Sequence, residues 1–199
     1  MVLGPGHSGL AVGRPRGDSR IRVLAVSHSA LLNGAQRSLL DLLVGMDRAR
    51  FDLVVAAANE GPLNQRLLDA SIPVHLVPIE HWVAFGGRSK LPWRARAVST
   101  LSGLASRVRV LAQLIERLNV DVVYTNTITV VEAALAARMT RRPHVWHVRE
   151  VLRGNPDLAP LLPAWATARL VNWLSDGIVA NSGPTRCPAA VPSPSSTTG

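Results

Sequence analysis

Three chemically capable side chains, His147, Arg149 and Glu150, follow one another at the end of the apolar run His144 to Val148. An imidazole at the carboxyl end of a buried strand can give or take a proton near neutral pH, and a guanidinium beside it can hold phosphate or carboxylate oxygens in two parallel hydrogen bonds. The bland reading stands next to this one: a packed histidine, and an arginine paired with Glu150. A second group, Asn33, Gly34, Ala35, Gln36 and Arg37, lies between the apolar run Ile21 to Val26 and a helical pattern. Gly34 lets a ligand come close, and the unpaired N–H groups of the helix that follows suit anionic oxygens or a sugar hydroxyl. The alternative is that Gly34 is only a turn residue. A third residue, Asn126, ends the run Asp121 to Thr125, where its carboxamide can hold a substrate hydroxyl or cap the next helix. His28 at the end of the first run reads more simply as a packing or hydrogen-bonding residue. His75, His81 and His144 have no partner at ligand spacing, so no metal site is expected.

These groups share a place only if the runs that carry them are strands of one parallel sheet. Continuously apolar runs at Ile21 to Val26, Phe51 to Ala57, Val74 to Val77, Asp121 to Thr125, His144 to Val148 and Gly177 to Ala180 have the look of strands covered on both faces. Helical patterns alternate with them at Ala35 to Met46, Pro62 to Ala70, Trp93 to Leu118, Val130 to Met139 and Ala164 to Leu174. Strand and helix in alternation predict an α/β fold, a Rossmann-like doubly wound parallel sheet of about six strands connected by right-handed crossovers. Ligands bind such sheets at the carboxyl edge, where all three groups then converge.

Residues 1–20, with five glycines, two prolines and Arg14, Arg16 and Arg20, are expected to be disordered, as is the Pro/Ser/Thr tail at 184–199. One domain at 21–183 remains. The segment Ile79 to Leu91 breaks the pattern and reads as a loop with exposed aromatics, Trp82 and Phe85, and positive charge. In the Trp93 to Leu118 helix, Val98, Leu101, Leu104, Val108, Leu111, Leu114, Ile115 and Leu118 have core-facing spacing, interrupted only by Gly103.

The chain carries 22 Lys and Arg against 13 Asp and Glu, a net charge of +9, which directs attention to acidic partners. Seven basic residues, Arg88, Lys90, Arg94, Arg96, Arg107, Arg109 and Arg117, fall in a stretch whose sole acid is Glu116. By composition this strip is a solvated face. With Trp82, Phe85 and Trp93 nearby it also suits an anionic lipid surface, with Arg88, Lys90, Trp93, Arg94 and Arg96 as the membrane contacts. Nucleic acid fits less well, since the aromatics are not interleaved on a strand surface and no recognition motif is present. A single cysteine, Cys187, leaves no intramolecular disulfide and suits a reducing compartment. The expected location is cytoplasmic, at most peripheral to the inner face of a membrane. A nicotinamide site is excluded by the first turn, which lacks G-x-G-x-x-G, and no Gly-Lys-Ser or Gly-Lys-Thr supplies a P-loop.

Asn33 to Leu39 opening the first helix, Asp121 to Asn126, Trp146 to Glu150 and the ending Ala180, Asn181, Ser182 together resemble the N-terminal domain of family 4 glycosyltransferases of the GT-B fold. In that family the first loop has two glycines, a small residue, then Glu-Arg. Here Asn33 replaces the first glycine and Gln36 the glutamate. The resemblance implies retaining transfer from a nucleotide-sugar, which is a co-substrate rather than a cofactor, to a sugar or lipid-linked acceptor. No metal is required. His147 would be the catalytic contact to the transferred sugar, with Asn33, Gly34, Arg37, Asn126, Arg149 and Glu150 binding substrate. The family's C-terminal domain, which holds the nucleotide, has no counterpart in these residues, so the chain is expected to be the acceptor-side half and inactive alone.

Overall fold

The computed structural model describes residues 20–85, 92–149 and 158–180. The predicted disorder at the two ends therefore falls outside the described residues, except for Arg20, and so do Arg88, Lys90 and Glu150. In chain order the elements are β1 (Ile21–Ser27), α1 (Gly34–Gly45), β2 (Phe51–Ala57), α2 (Pro62–Asp69), β3 (Val74–Leu76), β4 (Val83–Phe85), α3 (Trp93–Leu101), α4 (Leu104–Leu118), β5 (Val122–Thr125), α5 (Glu132–Met139), β6 (His144–Val148), β7 (Leu158–Pro160), α6 (Ala164–Leu174) and β8 (Gly177–Ala180). Six of the strands form one sheet in the order β3-β2-β1-β5-β6-β8, and every pairing in it is parallel. The order runs outward from β1 in both directions, so the crossover from β3 back to β5 leaves a topological switch between β1 and β5.

The alternation of side chains along a strand explains why the runs are apolar throughout. Val23 and Ala25 of β1 face Leu39 and Leu43 of α1 and Leu63 and Leu67 of α2. Leu24 and Val26, one residue out of phase, face Leu111, Leu114 and Ile115 of α4 and Ala133, Ala136 and Ala137 of α5. Beyond β5 a third cluster gathers Trp146 and Val148 of β6 with Val131, Ala134, Val171 and Leu174. The alanines of α5 let that helix sit close to the sheet, and it is buried along most of its length.

The break before α3 differs from the expectation of an open loop. Residues 83–85 form β4, which pairs antiparallel with β7. Trp82, expected to be exposed, is buried at 6% exposure, with its indole N–H donating to the Ile128 carbonyl at 2.7 Å and its backbone N–H to the Thr129 carbonyl at 3.1 Å. Trp146 donates in the same way to the Thr127 carbonyl at 2.6 Å. Two tryptophans therefore hold successive carbonyls of the turn after β5, where their ring area is buried and each N–H has a partner.

The expected single helix from Trp93 to Leu118 is also two helices. Gly103 adopts φ +72°, a left-handed conformation that an L side chain resists, and α3 leaves the line of α4 there. Consequently Val98 and Leu101, which have core-facing spacing, are 70% and 60% exposed. Only α4 lays its apolar face on the sheet.

Arg107, counted with the basic strip, is not on a solvated face. Its Nε donates to Oε1 of Glu132 at 2.8 Å, and its Nη1 and Nη2 donate to the Ser102 and Thr100 carbonyls at 2.7 Å each. The Glu80 backbone N–H donates to the same carboxylate oxygen at 3.2 Å. The side chains of Arg107 and Glu132 are 11% and 1% exposed. The guanidinium thus closes the last carbonyls of α3 while the carboxylate sits in the first turn of α5, where the helix dipole favours negative charge. Removing one member leaves the other buried and unpaired: Arg107→Ala should cost about 3–5 kcal/mol, read as a fall in the urea midpoint of unfolding.

Candidate functional site at the carboxyl edge of the sheet

Register places the candidate residues in a row. Val26 pairs with Thr125 and Thr125 with Trp146, so the next residues, Ser27, Asn126 and His147, lie side by side where β1, β5 and β6 end. The loop from Ser29 to Asn33 leaves β1 on the same edge. It is fixed from beside: the Ala30 N–H donates to the Asn59 carboxamide oxygen at 3.0 Å, and the Ala30 carbonyl accepts from Leu63 N–H at 2.9 Å. Gly61 is required there, because a Cβ would lie 2.7 Å from the Ala30 oxygen.

Asn126 is fully buried at the centre of the row. Its amide nitrogen donates to the Ala35 carbonyl in the first turn of α1 at 3.0 Å, and its carbonyl oxygen accepts from Nε of Arg149 at 3.0 Å. Nη2 of Arg149 reaches on to the Ser38 hydroxyl at 2.8 Å. Of the two readings of Asn126, neither describes this fully: its carboxamide is engaged inside the protein, and it ties the start of α1 to the ends of β5 and β6. Ser38 is half-buried and completes the link.

His147 is buried, with 9% of its surface exposed, and its Nδ1 is hydrogen-bonded to the Tyr124 hydroxyl. The rings meet edge to face with centroids 5.9 Å apart. Tyr124 lies on the neighbouring strand and the same sheet face, and burial pushes its phenol up to about 12, opposed by the charge and hydrogen bond of Arg149. Arg149 therefore touches Asn126 and Ser38, and its charge acts on the Tyr124 phenol. Neither Tyr124 nor Ser38 stood out in the sequence. A tyrosine at the end of an apolar strand, two residues before Asn126, was the available signal.

The first loop is more open. Asn33 and Gly34 are exposed, and a Cβ on Gly34 would meet nothing within 4 Å, so the protein's own packing does not demand a glycine there. Arg37 is exposed and turns back, its Nε donating to the Leu32 carbonyl at 2.9 Å, which braces the loop. Gln36 is buried, with its amide nitrogen 3.5 Å from Nε2 of His28. The His28 ring meets His81 edge-on at 4.8 Å, and Nδ1 of His81 bonds to the Thr129 hydroxyl at 3.0 Å. Burial lowers the His28 pKa. Two histidines set aside in the sequence thus adjoin on this edge. Glu150 lies outside the described residues. Of the expected membrane contacts, Trp93 and Arg94 are exposed in α3 with the guanidinium 5.9 Å from the Trp93 ring, while the Arg96 side chain is outside those described. Among the described residues no group of three His, Cys, Asp or Glu could hold a metal ion, and no helix is long and apolar enough to cross a membrane.

A profile of the glycosyl transferase 4-like domain family matches residues 33–187. Among solved structures, the Anabaena protein HepE (Alr3699) in complex with UDP and glucose superposes with TM-score 0.55 at 22% identity, over 83% of this chain and 39% of that one. Acinetobacter baumannii MurG gives TM-score 0.55 at 16% identity, over 86% of this chain and 43% of that one. A Listeria monocytogenes protein assigned as a UDP-N-acetylglucosamine 2-epimerase gives 0.50 at 14%, over 83% and 40%. No curated protein sequence matches. At these identities the likeness is one of fold, and the chain spans about two-fifths of the length of these neighbours.

Away from the edge, at the amino end of β6, His144 is buried with its Nε2 bonded to the Thr125 hydroxyl at 2.8 Å. Burial drives its pKa down to about 4, with the Leu174 backbone pulling weakly the other way. Unfolding returns the ring to an ordinary value, so the unfolded chain binds more protons between these limits and stability falls as pH drops. About 3 kcal/mol should be lost between about pH 6.5 and pH 4. Urea unfolding across that window should show the loss, and His144→Gln should flatten that part of the profile.

Proposed function

Since the chain belongs to the glycosyl transferase 4-like domain family, we propose that it is the acceptor-side domain of a retaining glycosyltransferase that moves a sugar from a nucleoside diphosphate donor to a sugar or lipid-linked acceptor. The observation that carries this reading is the row at the carboxyl edge, where Asn126 and Arg149 bind the opening of α1 to the strand end that bears His147. Breaking the bond to the donor phosphate leaves negative charge on the departing diphosphate. Backbone N–H groups and basic side chains directed at that charge in a site closed from water lower the barrier. The open approach to Gly34 at the first turn of α1 is suited to an anionic or hydroxyl-rich group. His147 is the contact to the transferred sugar, Arg149 and Glu150 lie beside it in sequence, and Asn33 and Arg37 flank the loop. HepE holds UDP and glucose, which supports a nucleotide-sugar as donor class.

On this reading the donor nucleotide is held by a second half, so these 199 residues alone should not bind it tightly. Calorimetric titration of the chain with UDP-glucose and other nucleotide-sugars should give no binding tighter than about 1 mM. A micromolar site would overturn the assignment to the acceptor side.

A second reading concerns α3. Trp93, Val98 and Leu101 are 63%, 70% and 60% exposed on a helix with Arg94 and Arg96 and no acid, a combination suited to anionic lipid at the inner face of a membrane. The chain should sediment with vesicles containing phosphatidylserine and not with neutral ones. Binding should weaken with salt and with the double change Trp93→Ala and Arg94→Ala. Equal recovery with neutral vesicles would remove the electrostatic part of this reading.

A further inference from the structure

We infer that α6 and the turn after α5 form a second contact with an anionic phospholipid bilayer, with Trp165 and Trp173 entering the headgroup layer and Arg138 and Arg169 meeting its phosphates. In its class of partner this rests on the lipid reading of α3. The surface itself is separate, and it owes nothing to the sugar-transfer reading.

Helical spacing sets the face. Thr167, Ala168, Val171 and Leu174 are the buried side of α6, and Val171 and Leu174 pack with Trp146 of β6 and Ala134 of α5. The other side carries Trp165, Arg169 and Trp173 at i, i+4 and i+8, a stripe about 12 Å long. The two indoles are 70% and 59% exposed. The outer face of a helix packed on a soluble domain is ordinarily charged or polar, and large aromatics there leave apolar area in water. Arg138, in the last turn of α5, lies over Trp173 with its guanidinium carbon 4.0 Å from the ring centroid. That contact presents a cation and an indole as one unit. Next in the chain, Met139 is 61% exposed, and Arg141 is exposed at the turn.

Charge selects the partner. No Asp or Glu occurs between Ala133 and Arg149 or between Leu158 and Ser175. The acid that follows, Asp176, is engaged at the start of β6, where its carboxylate accepts from the His144 backbone N–H at 2.9 Å. The patch therefore combines positive charge with exposed apolar groups. Free phosphate would satisfy the arginines and leave the indoles in water, whereas the headgroup layer of an anionic bilayer takes both. Indoles settle at that depth with their apolar body inward and N–H outward, and each arginine adds attraction to the charged surface.

The test is tryptophan quenching by vesicles of brominated phosphatidylcholine, with and without phosphatidylserine, read on the 199-residue chain carrying Trp93→Phe. That change silences α3. Of the four tryptophans left, Trp82 and Trp146 are buried, so α6 carries the accessible ones. Vesicles with phosphatidylserine should quench the emission, and adding Trp165→Phe and Trp173→Phe should abolish the quenching. Adding Arg138→Gln and Arg169→Gln instead should raise the lipid concentration for half-quenching at least about tenfold. No quenching in the Trp93→Phe chain overturns the inference, even if the further variants do not fold. Equal quenching by vesicles without phosphatidylserine also overturns it, as does a dimer of the chain that shields these indoles from lipid, or an oligonucleotide that shifts their emission where vesicles do not. With Trp93 kept, Trp165→Phe and Trp173→Phe leave α3 as the accessible reporter, so the lipid reading of α3 stands or falls separately. Calorimetry with nucleotide-sugars is untouched by either result.

Discussion

The buried carboxamide of Asn126 is the interaction on which the candidate site depends. Parallel strands deliver their ends to one edge, but they do not fix the loops and helix starts that leave it. At the switch between β1 and β5 the chain goes to opposite faces of the sheet, α1 on one side and α5 on the other, and a crevice is the natural result. Asn126 closes the crevice from beneath by donating to α1 and accepting from Arg149. An amide is suited to this task because it donates and accepts at once without charge, so it can be buried completely provided both ends are used. A leucine there would fill the space and leave the Ala35 carbonyl and the guanidinium with one partner fewer.

The sheet was legible because its physics is local and repetitive. Runs such as Leu24 to Val26 in β1 and Leu53 to Ala57 in β2, apolar at every position, can be satisfied only with helices on both faces, and the helical spacings between them supply those helices. The convergence of the Gly34 loop, Asn126 and His147 on one edge follows from strand direction alone. What connects them was not legible. The bonds from Arg149 to Ser38 and from Asn126 to Ala35 span 111 and 91 residues, and no pattern within a window of sequence reports a contact over that range. Tyr124 was passed over for the same reason: its significance comes from a histidine on the next strand, not from its own neighbours in the chain.

The errors on the α3 and α4 side have a common cause. Periodicity shows which residues share a helix face, but not whether the helix continues. Gly103 at φ +72° ends α3, and the apolar spacing of Val98 and Leu101 then leads to solvent rather than the sheet. The same break exposes carbonyls at the end of α3 that need donors. Arg107 supplies them, which removes it from the surface to which composition had assigned it. A buried guanidinium needs a counter-charge and several acceptors. Glu132 at the start of α5 and two helix-end carbonyls are that set, so one arginine both ends α3 and joins α4 to α5.

Fold alone does not choose the reaction at this edge. The same architecture is shared, at comparable likeness, by a protein in complex with UDP and glucose and by one assigned as an epimerase of a nucleotide-sugar. The difference between such chemistries lies in which groups at the rim give and which take protons. Here a phenol held protonated by burial is hydrogen-bonded to Nδ1 of an imidazole, and the charge of Arg149, a guanidinium that can only donate, acts on the phenol. Proton abstraction from carbon needs a basic nitrogen facing the substrate, whereas a sugar hydroxyl, which both donates and accepts, can be held by either nitrogen of the ring.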